Sequence, residues 1–331
     1  MLWRTDTDDE AGLTDGTLTP LIGDDIAAIL SFDLLFAHDL GLDPAELIVG
    51  KLLKNEQRYP IDMSRWRSTK PRQALGHPGM KPAEAQQRSL NELEELSGKP
   101  VVLQEDAGLP NLARIQIAAA TRPVHVLSYS PTAVHELPYL VCFQCGLANR
   151  ALRAAPDERF NVASTDQTYR QVEELVREQK AIPDKMVGTY SQMITDGLGT
   201  QLRSMPIGIR VDRALHRDHP ELCDLQRAAA ERSMKENVGC LHPSIRAQAP
   251  DLVLRATAGM NAAFALAWSR LWNEDAYNVP YRLAGFLELG EVLLVALDAI
   301  PDAPTHDREL VSKWAALLKI DDLYQVGPVG L

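Results

Sequence analysis

Over most of the chain, apolar residues recur at helical rather than alternating spacing. Within 24–38, Ile26, Ile29, Leu30 and Leu34 share one face of a 3.6-residue turn, and acids occupy the first turn, where the helix dipole favours them. A second helix is predicted over 43–57, with Asp43 as N-cap and Pro44 in the first helical position. Residues 59–82 carry Pro60, Pro71, Gly76, Pro78, Gly79 and Pro82 and read as a connecting stretch, followed by a helix over 83–97 that Gly98 stops. Two β-rich runs follow, at 100–106 and 123–130, with a helix predicted between them over 110–120. Beyond Leu137 the pattern predicts helices over 138–153, 166–180, 186–204, 209–217, 220–237, 250–273, 280–299 and 307–319. The run Ala-Gly-Met-Asn-Ala-Ala-Phe-Ala-Leu-Ala-Trp-Ser-Arg-Leu-Trp, at 258–272, mixes small residues with Phe264, Trp268 and Trp272, the signature of a buried central helix.

These elements define an α+β fold, mainly helical with a small minor β-sheet. The expected organisation is a loose acidic arm at 1–20, an N-terminal α+β region at 21–136 and a helical region at 137–331 packed with it as one unit. A length of 331 residues with 45% hydrophobic and 24% charged residues suits a globular chain with a sizeable core.

Charge changes the picture of partners. The net charge of −11 repels phosphate backbones and anionic surfaces, which disfavours nucleic acid and membrane. The distribution is uneven, with acids dominating residues 1–50 and bases dominating 51–81. No segment is apolar and long enough for a bilayer, and no secretory leader pattern opens the chain. Four cysteines in this length do not make a disulfide framework, so free thiols and a cytoplasmic location are expected.

The most suggestive chemistry is His135-Glu136-Leu137-Pro138-Tyr139, directly after the second β-like run. The order of strand, then His-Glu, then helix resembles the zincin metallopeptidases. The resemblance covers five residues and a coarse element order. It implies a zinc site with His135 as ligand, Glu136 as the catalytic base that polarises a metal-bound water, and Glu173 or Glu174 from a neighbouring helix as a further metal ligand. In this chain Tyr139 stands where that motif has its second histidine, and Pro138 lacks the N–H that a helix running through 135–139 would need. The same residues also read without a metal: the helix opens at Leu137 or Pro138, and Glu136 sits where an acid suits a helix N-terminus.

Other candidates are weaker. Cys142 and Cys145 form a C-x-x-C inside a predicted helix, suited to a redox pair, to half a zinc site completed by Cys240 and His242, or simply to core packing, the preferred reading. His125, on an apolar run, reads as a buried, hydrogen-bonded histidine. His216 and His219 flank Asp218 at a predicted helix break and resemble a capping region, with a metal or acid–base role as the alternative. Arg210 and Arg213 share a helix face that suits a carboxylate or phosphate, although local pairing of Asp212 with Arg213 is the simpler account. In the basic segment 51–72, Arg65, Trp66, Arg67, Lys70 and Arg72 offer cationic and stacking groups for a nucleic acid, or a basic face for the protein's own acidic helices. The phosphate-loop patterns GxxxxGK[ST] and GxGxxG and the GxSxG nucleophile elbow do not occur.

The reading these observations favour is a non-catalytic protein that acts through contacts with a protein partner or with itself. The alternatives are a zinc-dependent peptidase-like hydrolase centred on His135 and Glu136, and a nucleic-acid-associated regulator using segment 51–72.

Overall fold

The computed structural model describes residues 81–109, 111–119 and 121–328, which fall in the second of the two units into which the chain divides, at Gln73/Ala74. The predicted helices over 24–38 and 43–57, the acidic arm at 1–20 and the nucleic-acid candidates Arg65, Trp66, Arg67, Lys70 and Arg72 lie outside the described residues.

The fold is mainly helical α+β. In chain order the described elements are α1 (Pro82–Ser97), β1 (Val101–Glu105), β2 (Ala113–Gln116), β3 (His125–Tyr129), α2 (Leu137–Arg153), β4 (Phe160–Ser164), α3 (Asp166–Gln179) and α4 (Asp184–Asp218). These are followed by α5 (Cys223–Val238), α6 (Pro243–Gln248), α7 (Asp251–Trp272), α8 (Val279–Leu283), α9 (Leu287–Ala299), α10 (Asp307–Leu318) and β5 (Tyr324–Pro328). One sheet has the order β1-β3-β2, with β1 parallel and β2 antiparallel to β3; the other pairs β4 with β5 antiparallel.

Where helices begin and end follows local chemistry. Thr165 caps α3, its hydroxyl accepting from the Thr168 amide at 3.2 Å while the Thr168 hydroxyl accepts from the Thr165 amide at 2.9 Å. Gly98, at φ 65°, closes α1 in the left-handed region, and its N–H reaches Glu94 O. Pro138 falls in the first turn of α2, where its missing N–H would have had no intrahelical partner anyway.

Three predictions fail, each for a tertiary reason. Residues 113–116 form strand β2, not part of a helix over 110–120. Pairing with β3 places Ile115 opposite Leu127, and buried Gln144 of α2 accepts from the Ile115 amide and donates to Ala113 O, both at 3.1 Å. The predicted break between 204 and 209 is absent: α4 runs 35 residues through Pro206, roughly 50 Å at the usual rise. The proline removes one intrahelical hydrogen bond, but it is itself buried, and Leu202 and Ile209 on either side of it anchor in the main core. Residues 280–299 split into α8 and α9, because Gly285 sits at φ 80° and turns the chain. Strands β4 and β5, more than 150 residues apart in the chain, were not legible as strands.

The largest core joins α3, the middle of α4, α7, α9 and α10, and includes Met260, Leu293, Val311 and Trp314, all fully buried. Trp314 keeps its polar edge satisfied by donating from Nε1 to Leu293 O at 3.0 Å. A second cluster joins α1, the three-stranded sheet, α2 and the end of α4, while a third packs Trp268, Trp272 and Tyr281 against α5. The segment at 258–272 is the buried helix its composition predicts, with Trp268 2% exposed.

Candidate functional site at the start of the second helix

The chain leaves β3, makes a short turn at 131–133 and enters α2 at Leu137, so the strand, the His-Glu pair and the helix follow in the order read from the sequence. His135 is exposed. Glu136 is 4% exposed at the N-cap of α2 but makes no capping bond. Its Oε1 instead accepts from Arg232 of α5 at 2.5 Å, while Arg232 Nη1 also donates to Thr132 O at 3.3 Å. The carboxylate is therefore engaged by a fixed cation.

Tyr139, four residues after His135, points into the protein. Its hydroxyl donates to Asp212 Oδ1 of α4 at 2.7 Å, and Gln226 Nε2 of α5 donates to the same oxygen at 3.2 Å and to Asp212 O at 2.9 Å. Gln226 Oε1 lies 3.3 Å from His216 Nδ1, which is 3.6 Å from Cys223 Sγ. Three helices are thus stitched together by a polar chain. Burial pushes the Cys223 thiol up, with the charges of Asp224 and Glu221 adding to it, the opposite of what an activated nucleophile needs. No spacing rule could expose this chain of contacts, because Tyr139 and Asp212 stand 73 positions apart.

Asp212 carries the clearest titration. Burial drives its carboxyl from the ordinary 3.8 up to about 7, against the hydrogen bonds from Tyr139 and Gln226 that pull it down. Between those two values the folded chain keeps a proton that the unfolded chain releases, so this group's contribution to stability weakens as pH rises through the interval. A side-chain amide at this position would carry no charge to bury. Relative to the parent protein, Asp212→Asn is expected to gain about 2–3 kcal/mol of stability between roughly pH 5 and pH 8, at ~1.4 kcal/mol per pKa unit. Urea midpoints at the two pH values measure it, and a pH-independent difference refutes it.

The other sequence candidates are dispersed. Glu173 and Glu174 lie on α3; Glu174 is exposed, and Glu173 pairs with Arg177 at 2.5 Å. Among the described residues no three His, Cys, Asp or Glu side chains are grouped to hold a metal ion. At the His-Glu pair, Glu136 gives Oε1 to Arg232, while its Oε2 is buried without a hydrogen-bond partner among the described residues. Cys142 and Cys145 are free and buried, and burial pushes their thiols up to about 11 and about 12. Cys240 instead takes a hydrogen bond from Asn261 at 3.4 Å, and His242 caps α6 through the Ser244 amide, so these four residues form no common set.

His125 is 1% exposed, as its apolar run suggests, but its backbone partner is a donor: Nδ1 accepts from the Ala118 amide at 3.0 Å. That places the ring proton on Nε2, which faces Ser97 Oγ at 2.9 Å. Burial, followed by the nearby charge of Arg122, lowers its pKa. His219 caps α4 and contacts Glu221 at 3.1 Å, while Asp218 is held by Arg217. Arg210 does grip a carboxylate, the protein's own Asp307 at 3.1 Å; Arg213 pairs with Asp298 at 2.5 Å, not with Asp212.

Comparison of the chain with protein-family models, with curated proteins and with solved structures finds no match. Among the described residues no helix is long and apolar enough to cross a membrane.

Proposed function

We propose that this protein works without catalysis, through contacts with a protein partner or a second copy of itself. The observation that carries the reading is the state of the His-Glu motif, the strongest suggestion of an enzyme in the sequence. Glu136 is buried on Arg232 and Tyr139 is anchored on Asp212, so both positions hold helices together. A general base needs a carboxylate in reach of substrate; this one faces a guanidinium.

Apolar side chains left on the surface supply the contact. Leu283, at the end of α8, is 84% exposed, and Val292 and Val295, one turn apart on α9, are 46% and 63% exposed. Burying aliphatic groups of this size favours association by roughly 25 cal/mol per Å² of apolar surface before the costs of binding are met.

Light scattering and co-purification test the reading. A dimeric mass or a stoichiometric co-purifying protein is expected, and Val292→Glu with Val295→Glu should disperse it. A monodisperse monomer with nothing bound, or near-stoichiometric zinc that disappears in His135→Ala, would overturn it.

A further inference from the structure

The three-stranded sheet has two edges, and the chain treats them differently. The bonds from His125 N–H to Pro100 O and from Asp106 N–H to Tyr129 O, both 2.9 Å, fix which way β1 faces. Residues 100 and 106 turn their backbone groups toward β3, so the alternation of a strand turns 102 and 104 the same way. Val101, Leu103 and Glu105 therefore turn theirs outward, away from the sheet. On β2, the bond from Ser130 N–H to Leu112 O at 2.9 Å makes 113, 115 and 117 the outward set by the same argument.

Side chains close the β2 edge. The Gln144 amide, bonded to Ile115 N–H and to Ala113 O, stands where a neighbouring strand would, and Arg122 donates to Ile117 O at 2.5 Å. On β1 only the first outward donor is taken, Val101 N–H, which donates to Glu94 Oε1 at 2.7 Å. Among the described residues nothing pairs with the N–H of Leu103 or Glu105, or with the carbonyls of Val101, Leu103 and Glu105. The strand also lacks a proline or a bulge that would blunt it, and Val102 and Leu103 are 46% and 37% exposed.

An open edge of this kind fits another extended strand. The chemistry of β1 itself says which. The run Lys99-Pro-Val-Val-Leu-Gln-Glu105 has a base at one end, an acid at the other and apolar residues between them. Turned antiparallel about a two-fold axis at Val102, it sets Val102 against its own copy, Leu103 beside Val101 and Glu105 opposite Lys99. In that register Leu103 N–H meets the Val101 carbonyl of the other copy, while Val101 N–H stays with Glu94. Pro100 falls on the side facing β3, where no outward donor is called for.

We propose that β1 is a self-association edge, on which a second copy of the chain adds its own β1 antiparallel in that register. The inference deepens the reading of a protein that works through contacts. It rests on that reading for the class of partner and not for the surface, which lies apart from the α8–α9 face.

A strand of five residues pairs weakly by itself, so the test is sedimentation equilibrium up to high micromolar concentration. It uses the full chain carrying Val292→Glu and Val295→Glu, in which the α8–α9 contact is gone. A concentration-dependent dimer is expected. Leu103→Pro deletes an outward donor while leaving the β1–β3 bonds in place, and should abolish the dimer. Glu105→Lys and Lys99→Glu, both at exposed positions, should each weaken it about tenfold, because each acts twice across the axis; combined in one chain they should restore it. A monomer at every concentration would overturn the inference, as would a dimer indifferent to Leu103→Pro or a charge-exchanged chain no better than the single variants. None of these results touches the α8–α9 face, whose own test is the loss of mass that the two glutamates cause.

Discussion

Asp307→Ala is expected to be among the most damaging single substitutions in the described unit, costing about 3–5 kcal/mol, as when one partner is removed from a buried ion pair. Asp307 is 4% exposed in the first turn of α10 and faces two arginines. Arg150 of α2 donates to both its oxygens, from Nε at 2.8 Å and from Nη2 at 2.7 Å, and Arg210 of α4 adds a bond at 3.1 Å. Arg150 has a second acceptor in the more exposed Asp302, at 2.7 Å. Arg210 is 1% exposed and, once Asp307 is gone, retains as hydrogen-bond partners only the carbonyls of Leu297 and Ile300, with the more exposed Asp302 as a weaker counterion at 3.8 Å. The buried guanidinium, left with only that longer, solvent-exposed pairing, is what makes the loss large. Adding Arg210→Met to Asp307→Ala should therefore recover part of the stability, because the cation left without its partner is removed with it. Urea denaturation of both variants measures this. A double variant worse than the single by the full cost of a second independent lesion would show that the cluster acts in some other way. Against a total of about 5–15 kcal/mol for a typical domain, the single change alone removes a large share of the stability.

The second large effect is steric. Helices α7 and α9 cross so closely at Gly290 that an added Cβ would lie 2.8 Å from both the carbonyl carbon and the Cβ of Ala262, and 2.8 Å from the Ala263 nitrogen. Two of these three atoms are backbone, so no rotamer change relieves the contact, and the helices must separate. Alanine is the better helix former by about 1 kcal/mol, yet Gly290→Ala is expected to destabilise by roughly 3 kcal/mol, the upper range for overpacked cores. Gly188→Ala supplies the contrast, since its Cβ meets nothing within 4 Å and the propensity gain of up to ~1 kcal/mol should appear undiminished. Melting temperatures moving in opposite directions for these two changes would establish that packing, not propensity, governs the first. A neutral Gly290→Ala would refute the close crossing.

Much of the fold is legible in the chain because its signals are local. Gly98 ending α1, Pro138 opening α2 and the small-residue run that becomes α7 each act through the backbone of their own few residues. Residues 113–116 misled because nothing local distinguishes that stretch from a helix; its strand exists through β3 on one side and the Gln144 amide behind it. Pro206 misled in the opposite sense. One missing hydrogen bond is a strong local stop signal, but a weak term beside the core that holds Leu202 and Ile209.

At the site the division is sharper. The sequence placed His135 and Glu136 between a strand and a helix and offered Arg210, together with Arg213, as a grip for a carboxylate or phosphate. It carried no sign that Glu136 would meet Arg232, that Tyr139 would meet Asp212, or that Arg210's carboxylate would be Asp307. Each of those contacts joins residues more than 70 positions apart.

Composition, helical periodicity and the punctuation by proline and glycine determined the helical class and most of the helix limits. These are written in short-range sterics and hydrogen bonding, which a few neighbouring residues settle among themselves. Tertiary structure alone decided which charges are neutralised and what surrounds each thiol. Burial and Coulomb forces act on atoms close in space, whatever their separation along the chain.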